Sequence, residues 1–386
     1  MVRLTRAQQQ ERTRAAVLAA AEQEFAERGY NDAKIDRIAE RAELTRGAVY
    51  SNFPSKRALY LAVLVDSIEP AGIAGTPYSP GLAEAGPLPS PGPAETWQPF
   101  PPDLAEAGTS SSTGMAEALG LFARARLDRL PLTGDTAAGG KLRLRSLAGV
   151  FDDEPGRTAL AQVTRLEALL LALALESRAP RTGRRVRLAE LVLTLLNGAG
   201  HLADAAPGFV DPFDVARACE HLAGLDLADT WDPPHLPFVP LADDVEEPWQ
   251  PPASSPDEIT GRQVGFDADG VIAVLGAGRL EAAEEAVRAA RPGDRVTVAV
   301  VTSDPAEIGR LIRLRIGDLV GCLRGVLAPD AWQGPHLVLG SAVASAAGIP
   351  DTGDSTEAAV RVQAGKIVAR ARGRGAAYAV ATAEHR

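Results

Sequence analysis

Two cysteines, Cys219 and Cys322, are all that this chain of 386 residues contains. They form no CxxC pair and no disulfide framework, so a reducing compartment is expected. Histidine is equally sparse, with five in all. His201 and His221 have no carboxylate or thiol cluster at zinc spacing around them, so no metal and no cofactor is expected. Long apolar runs are missing too. The densest, residues 166–175, is about half of what a bilayer span needs. The N-terminus leads into charged sequence rather than an apolar signal core. A soluble cytoplasmic protein without membrane contact is the expectation. The chain also has no excess of positive charge: 40 Lys and Arg stand against 50 Asp and Glu, a net charge of −10. That excludes a general coat for polyanions. The balance is uneven, however, because residues 1–66 hold 11 basic and 9 acidic side chains.

What is present falls into blocks. Ten prolines crowd residues 70–102 and eight crowd residues 233–256. Proline removes a backbone donor and restricts the residue before it, so neither stretch holds a helix or a central strand. The division that follows is 1–68, a helical unit; 69–113, a Pro-rich insert (a lid or a loop); 114–228, an all-helical domain; 229–256, a linker; and 257–386, an α/β domain. In the helical domain the apolar spacing predicts helices over 115–130, 141–151, 156–178, 186–205 and 212–225, the last with Asp211 as cap and Pro212 in the first turn. In the final block it predicts helices at 279–290, 305–323 and 357–372. Strands are expected at 295–302, 336–339 and 376–381.

The first block carries the chemistry. Val17, Leu18, Ala21 and Phe25 form one face of a helix over 10–28, ended by Gly29. Ile35, Ile38, Ala39 and Ala42 mark a short second helix. A tight turn at Glu43-Leu44 leads to Thr45, whose hydroxyl can cap a third short helix, 46–52. Ser55 caps a fourth, 56–68. Two short helices joined by a turn and braced by a longer one are a helix-turn-helix. Such a unit needs a narrow helix with donors near its N-terminal end to enter the major groove. Arg46 can reach a guanine edge, Gly47 and Ala48 allow close approach, and Tyr50 can bond a phosphate. Lys56 sits at a helix start, where its charge adds to the positive dipole end. Arg3, Arg6, Arg12 and Arg14 form a basic arm, either reaching phosphates or solvated. A protein-binding three-helix module is the competing reading.

From Gly29 to Val63 the sequence resembles the DNA-binding domain of TetR-type repressors. Phe25, Gly29-Tyr30, Ile38-Ala39, the TRGAVY segment, Phe53, Ser55-Lys56 and Leu59 carry the resemblance. Lys34 departs from it, standing near the start of the second helix where the family usually has Thr or Ser. The resemblance implies a dimeric transcriptional regulator, a repressor of a palindromic operator that answers to a small-molecule effector. Lys34, Thr45, Arg46, Gly47, Ala48, Tyr50, Asn52 and Lys56 would face double-stranded DNA. The segment 187–225 resembles the closing helix pair through which that family dimerises, with Leu188, Leu191, Val192, Leu195 and Leu196 as its stripe.

The last block resembles, segment by segment, a GGDEF domain, the diguanylate cyclase fold. Asp257–Gly261 is similar to its D-x-L-T-G opening, residues 296–304 to its metal-binding strand, 315–328 to its signature segment and 355–380 to its closing helix and strand. The signature falls on Arg324-Gly325-Val326-Leu327-Ala328, and Thr302 stands where the first metal carboxylate belongs. Two-metal phosphoryl chemistry needs those carboxylates, so the domain is expected to be degenerate and no catalytic residue is assigned. Arg315 and Asp318 have the R-x-x-D spacing that binds cyclic di-GMP in that family; a helical i, i+3 salt bridge is the alternative. A nucleotide-responsive regulator, a nucleotide-processing enzyme and an activator or scaffold are the competing functions.

Overall fold

The computed structural model describes residues 5–68, 109–129, 147, 149–177, 183–206, 208–227, 229–327 and 331–383. Of the predicted helix over 141–151 only residues 147 and 149–151 are described, and they are not helical; most of the Pro-rich insert and Arg3 lie outside the described residues. Helix α1 (Arg6–Asp32) opens with a capping box at Thr5 and breaks at Gly29, whose φ of 71° and ψ of 177° suit glycine. Then come α2 (Ile35–Arg41), α3 (Arg46–Asn52) and α4 (Lys56–Ser67). Phe25, Ile38, Val49, Phe53 and Leu59 are buried at their centre, and Tyr60 meets Phe25 edge-on at 4.9 Å between ring centroids.

The helical domain consists of α5 (Thr109–Leu127), α6 (Glu154–Glu176), α7 (Val186–Ala205) and α8 (Pro212–Leu222). Asp153 caps α6 and Asp211 caps α8, each accepting from a first-turn N–H. Helix α6 is long and apolar enough to cross a membrane, but 67% of its apolar window is buried within the fold, as befits a core helix.

Residues 243–383 build a six-stranded mixed sheet in the order β1-β8-β7-β4-β5-β6. Its strands are β1 (Asp243–Pro248), β4 (Gly270–Gly276), β5 (Arg295–Val301), β6 (His336–Leu339), β7 (Glu357–Gln363) and β8 (Lys366–Arg372). A separate two-stranded ribbon joins β2 (Ser255–Pro256) and β3 (Gln263–Val264). Strands β4, β5 and β6 run parallel, whereas β7, β8 and β1 are antiparallel to their neighbours. The short α9 (Ala283–Ala289), α10 (Ile308–Leu323) and α12 (Ala376–Thr382) cover one face, and α11 (Ala342–Ala346) lies over the other. An α/β domain is therefore present, as its alternating pattern predicts.

Two expectations in it are corrected. The predicted helix over 357–372 is the β7–β8 hairpin. Ala364 (φ 50°) and Gly365 (φ 72°) both take positive φ in its two-residue turn, as a type I′ turn requires. The predicted strand at 376–381 is helix α12. Residues 355–380 thus run hairpin then helix, the reverse of the helix-then-strand order implied by the GGDEF resemblance. Asp257, in the D-x-x-T-G segment, is fully buried and accepts from Ile259 N, Thr260 N, Thr260 Oγ1 and Leu337 N. It ties that turn to β6.

Helix α10 is apolar nearly all round. Leu311, Ile312, Leu314, Ile316, Leu319, Val320 and Leu323 are all buried, because α10 is sandwiched between the sheet and helices α4, α5 and α6. One apolar core runs through the first unit, the helical domain and this face of the sheet.

Candidate nucleic-acid interface

Helix α3 stands on a buried base and presents a polar outer face. Val49 points into the core, while Thr45 accepts from Ala48 N at 3.2 Å and so satisfies a first-turn donor. Arg46 and Tyr50, one turn apart, face outward, with side chain and residue exposures of 62% and 38%. The Arg46 guanidinium lies 5.5 Å from the Tyr50 ring centroid and reaches Asp36 of α2 at 3.3 Å. Hydrogen bonding with Tyr50, and then the charge of Asp36, hold its pKa above the ordinary arginine value. Gly47 is exposed beside it, and Ala48 is half-buried. A fixed cation at the start of a short, well-anchored helix is the arrangement that major-groove reading requires.

The other expected contacts divide. Asn52 folds back, its Nδ2 donating to Ala48 O at 2.9 Å. Lys56 Nζ donates to Asn31 O at 3.1 Å and sits 4.8 Å from the Tyr30 ring centroid; partial burial there lowers its pKa. Lys34 is exposed at the start of α2 without a side-chain cap. The capping problem that it poses is solved by Glu24, a buried carboxylate on α1 that accepts from Lys34 N at 3.3 Å and pairs with Arg28 and Arg41. In the basic arm, Arg6 and Arg12 are exposed, whereas Arg14 lies over the Phe53 ring. A polar groove of about 670 Å³ runs between α1 and α3, lined by Thr5, Arg6, Gln9, Gln10, Thr13, Ser51 and Asn52.

No local signal announces what holds this unit against the rest of the chain. Arg57, in the first turn of α4, pairs with Asp153 at the start of α6 and with Glu307 just before α10. Ser55, the cap of α4, also donates to Glu307. Burial draws the Arg57 pKa down, but hydrogen bonds with Asp153 and Glu307 more than restore it and leave it raised. Arg310 of α10 donates to Ala58 O at 3.1 Å. Arg315 and Asp318 are drawn into the same seam. Arg315 forms an ion pair with the fully buried Glu167 of α6 rather than with Asp318. The Asp318 carboxylate acts on Arg126 of α5: burial lowers the Arg126 pKa, and Glu167, Cys322 and Asp318 raise it beyond that. Neither expected nucleotide contact faces open solvent.

The dimer stripe divides as well. Leu188, Val192 and Leu196 are buried in their own domain. Leu191 of the stripe is exposed, and Leu202 on α7, Phe209 just before α8 and Phe213 in its first turn extend the outward apolar surface; Phe213 is 76% exposed.

Residues 17–63 match the family model of the bacterial regulatory proteins of the tetR family. The N-terminal unit is thus a tetR-type helix-turn-helix domain, and the wider chain carries a helical domain and an α/β domain behind it. Among solved structures the chain is similar to a TetR transcriptional regulator from Rhodococcus sp. RHA1, at 18% identity over 56% of this chain and 94% of that one, with a TM-score of 0.28. It is also similar to NalD, the secondary repressor of the MexAB-OprM multidrug efflux pump in Pseudomonas aeruginosa, at 19% identity over 57% and 98% of the two chains, with a TM-score of 0.32. No curated protein matches it.

Proposed function

We propose that this chain is a DNA-binding transcription regulator that occupies a palindromic operator as a homodimer and represses from it. The observation that carries the reading is the outer face of α3, where Arg46 and Tyr50 stand exposed on a helix fixed from below by Val49. The groove beside α3 supports it, because its hydroxyls, amides and Arg6 suit a phosphate backbone. Exposed Leu191, Leu202, Phe209 and Phe213 supply an apolar face of the kind that two copies bury about a two-fold axis. A dimer places two recognition helices about one DNA turn apart, roughly 34–36 Å. A chain that works on DNA in this way resides in the cytoplasm.

A small-molecule effector completes the proposal. The α/β domain is read as regulatory rather than catalytic, since residues 324–328 hold none of the acidic side chains that two-metal phosphoryl chemistry needs. Cyclic di-GMP at Arg315 and Asp318 has less support, because Glu167 already neutralises Arg315. Gel shift of the full chain with fragments of its own genome tests the reading. Retention of a discrete fragment, falling steeply as salt rises, is expected. Failure to retain any fragment at low ionic strength overturns it.

A further inference from the structure

A crevice of about 570 Å³ opens between the helical domain and the α/β domain, away from α3. Its walls are the end of α6, residues 183–185 before α7, the turn between α9 and β5, and residues 333–335. Its volume falls in the range of small-molecule sites, about 300–1,000 Å³, and junctions between domains are where such sites concentrate.

Its charge is one-sided. Among the described residues, Arg184, Arg185, Arg291 and Arg295 line it against two carboxylates, Glu176 and Asp294. Both carboxylates are already neutralised. Glu176 pairs with Arg184 at 3.0 Å. Asp294 receives both Nη groups of Arg361, at 2.8 and 3.1 Å, from behind the wall. Arg291 donates to a neutral partner, the Ala383 carbonyl, and makes no side-chain ion pair among the described residues. Arg295 is exposed and makes no side-chain hydrogen bond or ion pair among the described residues. Leu173, Val287 and Pro335 add apolar wall. Two arginines without an ion pair among the described residues, in a crevice with an apolar wall, suit an anion that carries a hydrocarbon body.

We propose that this crevice binds a small amphipathic organic acid, a carboxylate or phosphate ester with an apolar tail, and that this ligand is the effector. The word effector rests on the regulator reading; the site does not. Arg184 also reaches the Val287 carbonyl at 3.5 Å, across the junction. A ligand gripping both walls tightens the docking of the two domains, and by linkage that changes operator affinity.

Calorimetry on the full chain without DNA tests the site, with octanoate as probe, 1-octanol as its uncharged counterpart and inorganic phosphate as its tail-less one. Octanoate is expected to bind saturably and at least about tenfold more tightly than either, the weight of one charge-assisted hydrogen bond. Arg295→Glu and Arg291→Glu are each expected to weaken octanoate by about tenfold or more, with unchanged far-UV circular dichroism. Absence of saturable octanoate binding, equal binding of phosphate, or indifference to both substitutions overturns the proposal. A chain that takes up octanoate through Arg295 yet ignores all DNA supports the site and sinks only the regulator reading.

Discussion

Glu307→Ala is the sharpest probe of how the α/β domain grips the DNA-binding unit. The Glu307 carboxylate, 11% exposed, accepts from Ser55 at the cap of α4 and pairs with Arg57 in its first turn. Truncation leaves Arg57 its second partner, Asp153, and its place over the Phe151 ring at 5.3 Å. Removing one partner of a fully buried pair costs about 3–5 kcal/mol. Arg57 is about one-fifth exposed and keeps Asp153, so the expected loss is lower, about 2 kcal/mol. Urea unfolding should be followed by tryptophan fluorescence, since Trp249 and Trp332 report the α/β domain, and by circular dichroism, which weights the helical units. The variant is expected to unfold at lower urea by both probes. Glu307→Gln should fall between it and the parent, because an amide oxygen still accepts from Ser55. A double-mutant cycle with Arg57→Ala is expected to give a coupling of about 1 kcal/mol or more. A coupling indistinguishable from zero would refute the claim that this contact joins the two domains.

Arg46→Ala is expected to weaken operator binding and to relax the choice of base at one position by about 1–3 kcal/mol, read by gel shift over single-base operator variants; uniform weakening across all variants would make Arg46 a phosphate contact. Phe213→Asp should leave the helical domain folded but convert the dimer to monomer in sedimentation. Each of the two copies loses about 1.5–3 kcal/mol of apolar burial, and an unchanged sedimentation coefficient would move the interface elsewhere. Asp257 supplies a pH dependence. Burial pushes its carboxyl up, but hydrogen bonds from His336, Thr260, Leu337 and Ile259 outweigh that and hold it below the usual aspartate range. A folded pKa depressed in this way contributes stability that is present above the unfolded value, about 4, and is lost as pH falls below it. Asp257→Asn is therefore expected to lower stability at neutral pH and to flatten acid unfolding of the α/β domain below about pH 4. An unaltered acid profile would remove Asp257 from that role.

The helix-turn-helix was legible because its determinants are local. Thr45 and Ser55 stand one residue before α3 and α4 and cap both, and Gly29 breaks α1 where only a positive φ fits. Strands β5 and β6 were equally plain, as β-branched or apolar runs next to turn residues. The β7–β8 hairpin was misread because its alanines satisfy helix propensity. Its informative feature is the two-residue Ala364-Gly365 turn between Val360-Arg361-Val362 and Ile367-Val368, where pairing with β4 overrides propensity. The Leu188–Leu196 stripe was legible as apolar, but which of its side chains face outward was not, since periodicity does not say which face meets the protein's own core.

The seam between the domains left no mark in local sequence, because its partners are separated by up to 252 residues. Ser55, Arg57, Arg126 and Glu167 each look like ordinary polar helix residues until α10 is laid across them. Yet α10 itself carried a hint. Buried on nearly every side, it is too apolar for a helix that merely covers one face of a sheet. Its second apolar side implies a second partner, and the structure supplies one in α4, α5 and α6. Arg310 and Arg315 of α10 are drawn into the same contact, whereas Arg313 pairs with Glu258 within the α/β domain. Arg315 meets Glu167 and Arg310 meets Ala58, so the arginine whose spacing suggested a nucleotide site instead joins the α/β domain to the helices behind α3. Any event that shifts α10 against the sheet must therefore either break these pairs or carry α4 with it. Helix α4 follows α3 after only three residues, so the helix that α10 packs against is also the one next to α3 in the chain.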